Sequence, residues 1–235
     1  MSVCSSITRT KLVVPDRRKM LILSQEMQVV GCLEGFKHFT LYLRSSEELL
    51  VTVVNNNKDT QNVASDRLDL VNFDPVMTDR EHPPSSPCRH TPGFEDEEYT
   101  SYLIGCYETY RRPFVWVRTG HERLVSRCEM YGTVDRDSPI DLLSITRYMA
   151  DTISIWDILA ELVLLTTEPP PANPFDIDHT YLDNLSSVEQ AISTGSLLHS
   201  LNGLLSKDSV WATTDILRDM RHLALRHVHT LPSLE

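Results

Sequence analysis

The side chains best suited to chemistry stand in one short string, Phe36-Lys37-His38-Phe39-Thr40-Leu41. The string reads as a strand, and residues i and i+2 of a strand point to the same face. The His38 imidazole and the Thr40 hydroxyl would then share a surface. A base and a hydroxyl side by side can grip a phosphate and move its proton.

That pairing is how two-histidine phosphoesterases begin, with an H-x-[TS] motif on a strand. Such enzymes need a second copy, and here the other histidines open His82-Pro83-Pro84, His90-Thr91-Pro92, His121-Glu122-Arg123, His179-Thr180-Tyr181, His199-Ser200-Leu201, His222-Leu223-Ala224, His227-Val228-His229 and His229-Thr230-Leu231. None repeats the motif, so His38 and Thr40 stand as an alternative reading, a small hydrolase or phosphoesterase. The leading expectation for His38 is a strand histidine packed at the edge of the core.

Other constellations are incomplete. His82, Cys88 and His90 lie close together, but Cys-x-His is not a usual zinc spacing and a four-ligand site would need closing from elsewhere. His121 and Glu122 near Cys128 would need an exposed, electropositive cysteine to act as a pair. Asp135 and Asp137 precede a helix start, where negative charge is favourable without a cation. No G-x-G-x-x-G, P-loop, H-E-x-x-H or G-x-S-x-G string occurs, and eight glycines leave little material for phosphate-cradling loops. The reading therefore assigns no catalytic residue, no cofactor and no metal.

What remains is binding. Glu95-Asp96-Glu97-Glu98 is an acidic run that can dock on a basic partner, and Tyr99 and Tyr102 open an aromatic stretch reaching Trp116. The function expected is that of a non-enzymatic interaction or regulatory protein, its partner another protein with a basic surface. Arginine outnumbers lysine 17 to 5. That bias, with sparse alanine and glycine, suits a viral accessory or structural protein, or another fast-evolving source, better than a housekeeping enzyme.

A formal net charge of −11 disfavours generic nucleic-acid binding and anionic membrane surfaces. Five widely spaced cysteines with no C-x-x-C read as reduced thiols in an intracellular protein, cytoplasmic or nuclear rather than secreted. No run reaches the roughly 18 apolar residues of a membrane span. Oligomeric state is not legible.

The elements expected to position these residues give an α+β fold. Residues 1–19 form a basic, mobile arm. Residues 20–131 form a mostly antiparallel sheet, with an edge strand read from Arg67 to Phe73 and an acidic, proline-rich loop interrupting it over 74–98. Runs at 27–33, 36–43 and 49–54 make a meander, with Glu34-Gly35 as a hairpin break. The 36–43 strand is apolar on both faces and should be central. Strands follow at 114–117 and 124–131. Residues 138–230 are helical and pack on the sheet, in one domain with it or as a second. Ser138, Pro139 and Asp141 should start one long helix that Glu168-Pro169 ends, about 28 residues or 42 Å. Ser186 and Glu189 should cap the next helix, running to Leu205. A last helix from 209 to 228 should turn Leu217, Met220, Leu223 and Ala224 inward.

Overall fold

A computed structural model of the chain describes residues 16–57, 98–127, 137–148, 154–206, 211 and 213–231. Residues 1–15 of the arm, the 67–73 strand and most of the 74–98 loop lie outside these residues, whereas residues 16–19, expected in the mobile arm, are helical. Four strands, β1 (Phe39–Ser45), β2 (Glu48–Val54), β3 (Tyr99–Gly105) and β4 (Phe114–Val117), form an antiparallel sheet in the order β1-β2-β3-β4. The helices are α1 (Asp16–Val30), α2 (His121–Arg127), α3 (Leu143–Tyr148), α4 (Ile155–Thr166), α5 (His179–Asp183), α6 (Ser187–Leu205) and α7 (Thr214–Thr230). Sheet in the N-terminal half and helices in the C-terminal half make the chain α+β.

β2 shows why the sheet forms. Leu49, Val51 and Val53 alternate inward to full burial, and β-branched residues suit the pleat. Ser46 and Glu47 close the hairpin to β1, with Ser45 facing Glu48 across the register. β1 is an edge strand, not the central one its apolar residues suggest. The run before it is helical, and among the described residues no strand pairs with its outer side; Tyr42 is 66% exposed.

That preceding run is α1. Met20, Leu23, Met27 and Val30 are buried at steps of three, four and three, a helical period that overrides the β-branched look of Val29-Val30. The Glu34-Gly35 hairpin does not form. Gly35 has φ +97, and Phe36 instead bridges to Ile177. Residues 121–127 are likewise helical, following a turn at Gly120 with φ +73.

The single long helix is not found; α3 and α4 take its place. Residues 138–142 form no helix, and Ile140 N–H donates to the Val115 carbonyl at 2.7 Å. The α3 helix starts at Leu143 because Glu161 accepts from Leu143 N–H at 2.7 Å and from Ser144 N–H at 2.8 Å. The α4 helix begins anew after Ser154, which is extended at φ −98 and ψ 157. Asp157 accepts from Ser154 N–H at 3.0 Å, and Glu26 of α1 accepts from the Ser154 hydroxyl at 2.7 Å and from Ile155 N–H at 3.1 Å. These acids satisfy first-turn donors that a continuous helix would have used internally. The expected end holds: α4 stops at Thr166, before Glu168-Pro169.

The α6 helix follows its expected capping box, Ser186 with Glu189, to Leu205. In α7 the expected inward residues divide. Leu223 is buried, as is Ile216, and Met220 packs partly buried on the core, but Leu217 and Ala224 do not point inward and face solvent.

One apolar core joins α1, the inner face of the sheet, α4, α6 and α7. Trp156 sits in it edge-on to Phe175 at 5.1 Å and to Phe36 at 6.0 Å between centroids. A smaller cluster of Leu103, Phe114 and Trp116, covered by Tyr107 and Tyr110, fills the other face of β3 and β4. Among the described residues no helix is long and apolar enough to cross a membrane.

Candidate functional site

The structure separates His38 from Thr40. His38, just before β1, is 3% exposed, and its Nε2 stands 3.5 Å from an Asp176 carboxylate oxygen. Backbone bonds fix it there: Val54 N–H donates to the His38 carbonyl and Lys37 N–H to that of Asp176, each at 2.9 Å. Thr40 is exposed on the edge strand. The imidazole is enclosed by the 175–177 segment while the hydroxyl faces solvent.

Of the proposed binding residues, Glu95, Asp96 and Glu97 lie outside the described residues, as do His82, Cys88, His90, Cys128 and Asp135. Glu98 is exposed, and its carbonyl accepts from Asn55 N–H at 2.8 Å. Tyr99 is 38% exposed. Tyr102 is not a surface residue. The β3 alternation turns positions 100, 102 and 104 toward the core, so Tyr102 is fully buried and its hydroxyl meets Thr166 Oγ1 at 2.6 Å. The Thr166 hydroxyl in turn donates to the Leu162 carbonyl.

Exposed large apolar residues stand on α1 (Leu21, Ile22 and Val29), on α6 (Val188 and Ile192) and on α7, where they line up along the helix. At 100° per residue, Leu217, Ala224 and Val228 fall on one line, flanked by Leu225 and leading to Leu231. Leu217, Leu225, Val228 and Leu231 are 47–63% exposed. This stripe lies away from the Ile216–Leu223 face that packs on the core, so α7 is apolar on two sides.

A separate constellation joins α5 and α7. His179 opens α5, which Asp178 caps by accepting from Tyr181 N–H at 2.9 Å. Arg226 of α7 pairs with Asp183 and donates to the His179 carbonyl, tying the two helices together. Asp219 and His222, three residues apart on α7, then come opposite His179. Ligand-type atoms of the three lie within 4.8 Å of one another, and the two rings meet edge-on at 5.9 Å. Asp219 is buried and His222 exposed. Burial raises the Asp219 carboxyl above its usual range, helped by the Asp176 charge. Burial lowers the His179 imidazole, helped by Arg226, and so favours the neutral ring. A neutral imidazole offers the lone pair that a metal ion takes.

Sequence reasoning missed this cluster. Asp219-x-x-His222 on a helix was its legible half, but the spacing is common, and His222 there reads equally well as a charge complementing the helix end. The third member lies 40 positions earlier, and only tertiary structure brings it in.

No curated protein and no solved structure matches the chain. Residues 86–229, more than half of its length, match the family described as a domain of unknown function, DUF7886, and the chain belongs to that family.

Proposed function

We propose that the chain is a non-enzymatic interaction or regulatory protein that docks another protein on the outward stripe of α7. The observation that carries this reading is the run of large apolar side chains held in water on a well-formed helix. Apolar surface gains roughly 25 cal/mol per Å² on leaving water, and a contiguous exposed stripe is a common mark of a protein contact. Leucine and valine packed against a partner's groove at i, i+4 and i+7 steps is an established way for a helix to be read. The net charge of −11 favours a partner with a basic surface, and Glu95, Asp96, Glu97 and Glu98 would speed encounter rather than hold the complex. A viral accessory role suits the arginine bias and stays part of the same proposal.

The test compares proteins captured by the wild type and by Leu225→Glu/Val228→Glu, whose sites are exposed. Partners should be lost from the double variant at unchanged melting temperature and kept by His38→Ala as far as it folds. Identical captured sets would sink the reading, as would a phosphoesterase activity that disappears with His38.

A further inference from the structure

We propose that His179, Asp219 and His222 bind a divalent transition-metal ion of the zinc class, clamping α5 to α7. Two imidazoles and one carboxylate are the ligand types that zinc prefers, and three protein ligands leave a fourth position for water. Asp219 and His222 share one face of α7 at i, i+3, and His179 faces them from the first turn of α5. The ring contact between the histidines apart, no hydrogen bond or ion pair from a described residue occupies the three side chains, and none joins them to one another. Asp219 is a largely buried carboxylate, and a cation beside it would offset the cost of burying its charge.

The spacing suits an ion. Ligands about 2.0–2.1 Å from zinc in a tetrahedron stand about 3.3 Å apart, so atoms within 4.8 Å of one another lie at most about 1.5 Å beyond that spacing. The charges nearby balance. Arg226 and Arg218 oppose a cation, but they are paired with Asp183 and Asp215, and Asp176 adds negative charge on the side of Asp219. The ion would pin the middle of α7 from the side facing α5, leaving the outward stripe of that helix free. The inference does not rest on the docking proposal.

The experiment titrates zinc chloride into EDTA-stripped full-length protein, by calorimetry and by competition with a chromophoric chelator. One ion per chain is expected, with micromolar or tighter affinity and a melting temperature that rises with zinc. His222→Ala, at an exposed position, should weaken binding at least about tenfold, and Asp219→Asn similarly, with far-UV circular dichroism in EDTA confirming the fold. Wild-type protein that takes up no zinc at roughly 100 µM would overturn the proposal. So would binding that survives both substitutions but is lost in Cys88→Ser, because the ion would then belong to the His82–His90 segment.

Discussion

His38 and Asp176 face each other between the start of the sheet and the connector after α4, with Nε2 3.5 Å from Oδ2 and the histidine side chain 4% exposed. The contact joins β1 to the 175–177 segment, beside the Phe36–Ile177 bridge. A histidine so enclosed acts as a fastener between two stretches of chain. His38→Ala and Asp176→Asn should each lower stability in urea unfolding, and the double variant should lose less than the sum. A coupling of about 0.5–3 kcal/mol is expected for residues in contact. Strict additivity would show that the pair does not interact.

Trp156 is enclosed by Phe36 and Phe175 and is 4% exposed. Trp156→Ala should destabilise the protein by roughly 3–5 kcal/mol, through lost transfer energy and the cavity left behind. A melting curve matching wild type would place the ring outside the core.

Glu161 accepts the first two N–H groups of α3 with its two carboxylate oxygens. Hydrogen bonds to a charged group contribute about 1.5–3 kcal/mol, so Glu161→Ala should cost on that order in chemical denaturation. Glu161→Gln keeps one acceptor and should fall between. An unchanged midpoint in the alanine variant would show that α3 needs no cap.

Two cysteines differ sharply. Cys32 is exposed at the end of α1, whereas Cys106 is fully buried and its thiol is pushed up to about 12 by that burial, with Glu47 and Glu26 adding to the effect. Iodoacetamide at pH 8 should label Cys32 and leave Cys106 untouched in the folded protein, as peptide mass mapping would show. The folded thiol titrates above its unfolded value of 9.0. Its contribution to stability is therefore complete below pH 9 and fades as the pH rises toward 12. Cys106→Ala should flatten that alkaline loss; an equal loss in the variant would assign it to other groups.

Local rules carried far in this chain where neighbours agreed with them. The alternation of Leu49, Val51 and Val53 and the Ser186–Glu189 box each specify an element alone, and both appear where expected. Met27 to Leu33 failed because an apolar run with β-branched residues fits either period, and the buried positions 20, 23, 27 and 30 settle it as a helix. The long helix failed because its apolar stripe crosses two separate helix starts, one capped by Glu26 of α1 and the other by Glu161 reaching back from α4. Tyr102 looked like a hot-spot residue because aromatics serve cores and interfaces alike, and only the β3 register decides between them. The His179–Asp219–His222 cluster depends on how α5 meets α7, which no local pattern encodes.

The seam between β2 and β3 bears on how far the folding unit of this family extends. Seven residue pairs, from Glu48–Gly105 to Val54–Tyr99, stitch the two strands together. The family match starts at residue 86 and so falls between them, leaving α1, β1 and β2 outside. A fragment cut to the match would carry β3 with a bare row of amides and carbonyls along one side. It would also lack Leu49, Val51, Val53 and the α1 residues that close the core. Such an edge recruits other chains. Expressed alone, the fragment should aggregate, and a soluble truncation of this protein has to begin upstream of α1.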